Sequence, residues 1–268
     1  GAINSFTQDL LLNINALYPT NDNKVLVGGN FTTYNSTTVS ARLLRLNPDG
    51  TRDFSFSASS NANEVTALYI LADGKIMVGR NTQIQRLNSD GSTDTTFSTV
   101  TTNGKINEFC ISSTGKIFAV GTFTTVNSIS KNRAVLINTD GTIDNTFNIG
   151  TGFNAEVKGI RKTSTNNLYL IGSFTNYNGT SINKLAKLNE TGTLDSAFHS
   201  SNTLFNDEPL SIEVSNNDKL LIGGNFTNYN NQIVKNFVSF NEDGTINTTL
   251  NIGNSFENGL VKIIKKNT

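Results

Sequence analysis

Runs of four to eight apolar residues, bounded by Asp-Gly, Thr-Gly, Asn-Asn or Asn-Asp, recur from one end of the chain to the other. These dipeptides tolerate positive φ and close tight hairpins. Apolar runs of this length between such turns predict strands, and no stretch sustains the 3.6-residue period of an amphipathic helix.

The runs fall into copies. Lys24, Lys75, Lys116, Asn167 and Lys219 mark successive units, at steps of 51, 41, 51 and 52 residues. A glycine closes the first run at Gly29, Gly121, Gly172 and Gly224, and Phe31, Phe123, Phe174 and Phe226 follow it. Asn47, Asn88, Asn138, Asn189 and Asn241 close the second run, with Gly50, Gly91, Gly141, Gly192 and Gly244 three residues later and Phe56, Phe97, Phe147, Phe198 and Leu250 six beyond those. Each copy reads as four strands. Strand a precedes the lysine (Val65 to Ile70), b follows it (Lys75 to Val78), c resembles Arg42 to Leu46, and d reaches Phe56 or its equivalent. An all-helix-free unit of about 50 residues in four strands predicts a β-propeller of four-stranded antiparallel blades. Five full repeats are readable, with a partial sixth suggested by the ends.

The expected layout is one propeller domain over residues 1–268. Its repeats span 10–56, 62–97, 104–147, 155–198 and 207–250, with partial repeat ends at 1–6 and 257–268. Ile3 to Phe6 echoes Ile143 to Phe147 as a worn strand d. The ends are compatible with a ring closed by both termini or with a longer repeat protein. Alternation assigns Leu17, Leu68, Phe109, Ile160 and Ile212 in strand a to the packing between blades, with Val25, Ile76, Ile117, Leu168 and Leu220 in b and Leu46, Leu87, Ile137, Leu188 and Phe240 in c.

The motif Gly-Lys-Ile-x-Val-Gly…Phe-Thr, then Leu-x-x-Leu-Asn-x-Asp-Gly-Thr-x-Asp-x-x-Phe, resembles the bacterial delta-60 repeat, a propeller unit of secreted and surface proteins. The resemblance implies architecture and carries no activity. The second copy departs: Arg80 stands for the glycine, Thr82 for the phenylalanine, and about ten residues of the b–c loop are missing, which predicts a tight turn near Asn81 to Gln83. Thr191 replaces the turn aspartate of the fourth copy, and Asn247 and Leu250 replace Asp and Phe in the fifth.

Charge narrows the partners. The 21 basic and 21 acidic residues leave no global field to draw nucleic acid. Lys262, Lys265 and Lys266 read as a solvated strand edge. Sparse charge (16%) with abundant Asn and Thr fits a secreted or cell-surface protein of bacterial or viral origin. One cysteine excludes an internal disulfide, no run of ~18 apolar residues predicts membrane insertion, and no signal segment opens the chain.

Candidate chemistry is thin. Asp49 with Asp53, Asp90 with Asp94, and Asp140 with Asp144 suggest calcium ligands, but Asp-Gly turn chemistry explains them more simply. His199 lacks a metal cage or a nucleophile elbow, and Cys110 occupies a position that takes Arg161 and Glu213 in other copies. No catalytic, cofactor or metal residue is assigned, and the chain is expected not to be an enzyme. Tyr34, Tyr177 and Tyr229 in Phe-Thr-x-Tyr-Asn are the candidate binding residues; Val126 stands in their place in the third copy. They either stack on a sugar or brace the b–c hairpin. An up-and-down blade places a–b and c–d turns on one face and the varied b–c loops and d–a connectors on the other. Binding concentrates on loops held by a rigid scaffold. The expected function is therefore binding or adhesion to a protein or glycan through those loops. A structural spacer in a larger multi-domain assembly and a hydrolase or lyase are the alternatives.

Overall fold

A computed structural model describes residues 13–198, 205–249 and 261. The partial repeat ends 1–6 and 257–268, the three terminal lysines, His199 and Leu250 lie outside the described residues. The chain divides into two compact units. One comprises Gly1–Phe109, Thr125–Ile129 and Thr139–Thr142; the other comprises Cys110–Thr124, Ser130–Asn138 and Ile143–Thr268.

Each repeat is an antiparallel meander. In the first unit, Ile14–Pro19, Val25–Gly29 and Leu43–Leu46 form strands a, b and c of repeat 1. Val65–Ile70, Ile76–Arg80 and Gln83–Leu87 form those of repeat 2, to which Val100–Thr101 adds a fourth strand. Most of repeat 3 belongs to the second unit: Ile106–Ile111 runs into it, and Ile117–Gly121 pairs with Ala134–Ile137. Repeat 4 is Val157–Lys162, Leu168–Gly172 and Leu185–Leu188, and repeat 5 is Pro209–Val214, Leu220–Gly224 and Phe237–Phe240. No helix occurs among the described residues.

Segment d pairs through a single bridge: Arg52 on Leu46, Thr93 on Leu87, Ile143 on Ile137, Leu194 on Leu188 and Ile246 on Phe240. The next residue ends it. Asp53 Oδ1 accepts the Ser55 amide at 2.9 Å and its hydroxyl at 2.6 Å, and this Asx turn swings Phe56 inward. Asp94 and Asp144 repeat the arrangement with Thr96 and Thr146. The other carboxylate oxygen meets the marker lysine. Asp53 Oδ2 lies 2.9 Å from Lys24 Nζ and 2.7 Å from Arg45 Nε, and Asp94 Oδ2 lies 2.9 Å from Lys75 and 2.6 Å from Arg86. Among the described residues, Lys116 is the cation paired with Asp144. Where Asn167 replaces the lysine, Lys187 on strand c pairs with Asp195 at 3.0 Å. Repeat 5 carries Asn247 and needs no cation there. The second aspartate of the motif is thus a buried ion-pair residue, while the first (Asp49, Asp90, Asp140) accepts its own turn's hydrogen bonds from Thr51, Ser92 or Thr142.

The core is a stack of faces. A trailing face carries alternate residues of b and c plus the phenylalanine of segment d; a leading face carries the other alternates. In the first unit, Leu26, Leu43 and Phe56 of repeat 1 pack with Val65, Ile76, Val78 and Leu87 of repeat 2. In the second unit, Phe118, Val120, Leu136 and Phe147 of repeat 3 pack with Ile160, Leu168, Leu170 and Leu188 of repeat 4. Tyr169, Ile171, Leu185 and Phe198 of repeat 4 pack in turn with Ile212, Leu220, Ile222 and Phe240 of repeat 5. Both faces are therefore buried, which is why strand b reads as a nearly continuous apolar run. The interblade set fails at one place. Leu17, expected inside, is 53% exposed, because the leading face of repeat 1 meets no preceding repeat among the described residues.

Candidate functional site

The b–c segments build two-stranded hairpins. Thr33–Tyr34 pairs with Thr37–Thr38, Asn176–Tyr177 with Thr180–Ser181, and Asn228–Tyr229 with Gln232–Ile233. Their two-residue tips are left-handed at both positions: Asn35 and Ser36 at φ 47° and 58°, Asn178 and Gly179 at 45° and 82°, Asn230 and Asn231 at 48° and 64°. These are type I′ turns, and asparagine at the first place tolerates that conformation.

The candidate tyrosines point inward. Tyr34, Tyr177 and Tyr229 are all buried, at 8%, 2% and 3% exposure. Phe153 lies 4.6 Å from the rings of both Phe174 and Tyr177, and Phe205 lies 4.5 Å from Phe226 and 4.9 Å from Tyr229. The hydroxyls of Tyr34 and Tyr177 donate to the carbonyls of Gly50 and Gly192. The Tyr229 hydroxyl is buried and finds no partner among the described residues. Packed in this way, the Tyr177 and Tyr229 rings brace their hairpins, while Tyr34 borders an apolar hollow with Val25, Val27, Leu44 and Leu46. Because its tyrosine touches the c–d turn, the hairpin of repeats 1 and 4 folds along strand c. It does not stand apart on a separate loop face, as an up-and-down blade would suggest.

The connectors are fastened at both ends. Their first residues donate to the next repeat's c–d turn: Ser57 to Asp90 O, Ser98 to Asp140 O and Asn148 to Thr191 O, each at 2.8 Å. Their later residues bridge the next hairpin, Thr102 to Val126, Phe153 to Tyr177 and Phe205 to Tyr229. Asparagine side chains add clamps, with Asn154 Oδ1 and Asn206 Oδ1 each accepting two hairpin amides at 2.9 Å. Glycine at the turn is required twice over: Gly141 has φ 91°, and a Cβ there would lie 2.2 Å from Ser98 O.

Two polar features around the hairpins are open to a ligand. The hairpin fronts are exposed and differ between copies: Thr37 and Thr38, Thr180 and Ser181, Gln232 and Ile233. Beside the Tyr177 hairpin lies a hollow of about 590 Å³ lined mainly by neutral polar groups, among them Thr146, Asn148, Asn178, Thr180, Thr191 and Thr193.

Acids and bases also meet where the sequence suggested almost none. Lys158 Nζ donates to Glu208, whose other oxygen accepts the Ser173 hydroxyl at 2.6 Å. The lysine hydrogen bond, aided by Ser173, holds the Glu208 carboxyl below its usual range. In the first unit, Glu64 accepts Asn15 at 2.6 Å and Asn81 at 3.1 Å. Glu64, Glu156 and Glu208 recur at the repeat spacing just before strand a, a signal the pattern of apolar residues leaves out. Among the described residues, no cluster of three or more His, Cys, Asp or Glu is placed to hold a metal ion.

Repeated antiparallel meanders stacked face to face, without helices, define a repeat β-propeller protein. Residues 20–56, 71–97, 112–147, 163–198 and 216–250 match the family described as "Domain of unknown function (DUF5122) beta-propeller", and the chain belongs to that family. No curated protein sequence matches it. Among solved structures, virginiamycin B lyase from Staphylococcus aureus is similar over 90% of this chain and 70% of that one, at 18% identity and a TM-score of 0.56. The WD40 domain of Neurospora crassa Pan2 aligns with 85% of this chain and 62% of its own, at 10% identity and a TM-score of 0.56. The extracellular domain of a hybrid two-component system from B. thetaiotaomicron aligns with 90% and 34%, at 12% and 0.50. These likenesses are of fold. They correct one expectation: the chain cannot be set down as a non-enzyme, because a protein of the same fold is a lyase.

Proposed function

We propose that this chain is a binding or adhesion module of a bacterial surface or secreted protein, built from repeats of the delta-60 type, and that it engages a glycan or protein partner through its b–c hairpins. The observation that carries this reading is the pairing of rigid backs with variable fronts. In repeats 3, 4 and 5 a buried side chain (Val126, Tyr177 or Tyr229) and clamps from the connector anchor the hairpin, so its exposed residues are presented without an ordering cost at binding. The hollow beside Asn178 favours a glycan over a protein, since amides and hydroxyls exchange hydrogen bonds with sugar hydroxyls and no charge has to be desolvated. The extracellular setting of the two-component-system domain supports a surface or secreted location.

A glycan array probed with the folded chain, followed by a pull-down with surface extracts, tests this. Binding that falls at least tenfold in Asn178→Ala/Thr180→Ala, with unchanged circular dichroism, is the expected result. Full binding by that variant removes the hollow from the site. A second reading, a hydrolase or lyase, has the Lys158–Glu208–Ser173 group as its own observation. Turnover of an array ligand that is lost in Glu208→Gln would favour it.

A further inference from the structure

The hollow beside the Tyr177 hairpin is built by three segments of the second unit: the chain on either side of Phe147, the hairpin tip and the c–d turn of repeat 4. The connector and the tip are pressed together. A Cβ on Gly150, at φ 54°, would lie 2.1 Å from Asn178 Oδ1, and the Asn178 amide donates to Gly152 O at 2.9 Å. The same contact orients two side-chain amides. Asn178 Oδ1 accepts the Thr151 amide and Asn148 Oδ1 accepts the Gly150 amide, each at 3.0 Å. A carboxamide nitrogen cannot accept from an N–H, so in both residues the Nδ2 group is the end left to donate to a ligand.

Repeat 3 shows what sets this place apart. Asn127 Oδ1 accepts the Thr101 amide at 2.8 Å, as Asn178 Oδ1 accepts that of Thr151, so the two tips are equivalent. In that register Ser98, Ile129 and Asp140 stand where repeat 4 has Asn148, Thr180 and Thr191. The Asp140 carboxyl is lowered by hydrogen bonds from the Thr142 hydroxyl and amide, so it carries a charge. In repeat 4, Asn189 Oδ1 accepts the Thr191 amide at 3.0 Å and the Thr193 amide at 2.9 Å. The turn is thus kept without a carboxylate. None of the side chains lining the hollow is charged, and half-buried Leu194 adds apolar surface among the threonines.

Resting on the glycan reading above, we propose that this hollow recognises an N-acetylhexosamine, an uncharged sugar bearing an acetamido group. Its carbonyl oxygen takes the amide donors of Asn148 and Asn178. Its methyl lies against Leu194 and the threonine methyls, and its ring hydroxyls meet Thr180 and Ser196. A plain hexose lacks both the carbonyl and the methyl. A free amino sugar or a sulfated sugar brings a charge that no lining side chain offsets, and taking a charge out of water without a partner is costly. Thr191 matters here because the aspartate that stands at its place in repeat 3 would put a second carboxylate-type acceptor against the ligand's own acceptor oxygen.

Saturation-transfer NMR of the full chain with N-acetylglucosamine, N-acetylgalactosamine, glucose and galactose tests this. The acetamido methyl is expected to take the strongest saturation, and the N-acetyl sugars to bind at least tenfold more tightly than the plain hexoses. Asn178→Asp keeps an oxygen to accept the Thr151 amide and removes the donor. N-acetyl sugar binding is expected to fall at least tenfold in that variant, with unchanged circular dichroism. Equal binding of N-acetyl and plain sugars overturns the proposal, as does no binding of the N-acetyl sugars. If Asn178→Ala/Thr180→Ala still loses glycan-array binding in either case, the hollow remains a glycan site of another preference. N-acetyl sugar binding unchanged in Asn178→Asp also overturns the proposal, and full binding by Asn178→Ala/Thr180→Ala as well would place the sugar outside the hollow.

Discussion

Repeats 2 and 4 share one meander and solve its weakest point in opposite ways. In repeat 4, strand b ends at Gly172, where a Cβ would lie 2.1 Å from Glu156 O. The chain then runs through Phe174 into the Tyr177 hairpin, and these rings with Phe153 fill the space with apolar surface. In repeat 2, a two-residue turn at Asn81–Thr82 replaces the hairpin, and Arg80 occupies the glycine position, 2% exposed. Its guanidinium donates to the carbonyls of Asn63 and Ala41 and to Gln85 Oε1. Burial lowers its pKa to about 10, with the nearby charge of Arg42 adding to the effect. The difference teaches that the site requires filled volume and satisfied carbonyls, and that one planar fork of donors does for repeat 2 what ten residues and three rings do for repeat 4.

The comparison predicts its own hierarchy. Phe174→Ala removes the ring at the root of the hairpin and is expected to cost about 3–5 kcal/mol in urea unfolding, as is Phe147→Ala on the face beneath it. A cost below 1 kcal/mol would mean that the rings do not hold repeat 4 together. Arg80→Ala is expected to cost about 2–4 kcal/mol, since it leaves a void and the carbonyls of Ala41 (buried) and Asn63 (part-buried) short of a donor. Arg80→Lys should recover only part of this, because an ammonium cannot span the three acceptors.

The buried aspartates sharpen the contrast by pH. Burial alone would raise the Asp94 carboxyl, but Thr96, Lys75 and Arg86 outweigh it and hold it well below the usual range. For Asp195, burial is likewise outweighed, by the Phe198 amide and Lys187, and the carboxyl is again lowered. A depressed carboxylate contributes stability above its unfolded pKa of about 4, and this is lost as pH falls through the folded value. Stability should therefore decline below pH ~4. Asp94→Asn should flatten that decline more than Asp195→Asn, because Asp195 is about a third exposed and has one cation where Asp94 has two. Denaturant melts at pH 3, 4 and 7 read this directly, with about 1–3 kcal/mol expected at pH 7 for Asp94→Asn.

The smallest effect separates two like tyrosines. Tyr177→Phe gives up a buried hydrogen bond to Gly192 O and is expected to cost about 1 kcal/mol. Tyr229→Phe removes a buried hydroxyl with no partner among the described residues and should change stability by less than about 0.5 kcal/mol, or raise it. Equal losses in the two variants would show that the hydroxyls do not tell the hairpins apart.

Much of this was legible in the chain itself. Turn dipeptides and apolar runs fix strands a, b and c to within a residue or two, because hairpin turns and strand alternation are local chemistry. The missing b–c segment at Asn81 and the phenylalanines at 56, 97, 147 and 198 are plain in the spacing alone, and all four rings are buried. What needed tertiary structure was every pairing between side chains distant in sequence. Nothing local says that the marker lysine meets an aspartate 19 to 29 residues later, that Lys187 stands in when Asn167 cannot, or that Tyr177 turns its ring inward to reach Gly192. Periodicity shows that Leu17 is equivalent to Ile160. Only the packed neighbour decides that Ile160 is buried while Leu17 is half in water, because burial belongs to a pair of surfaces and a sequence position names only one of them.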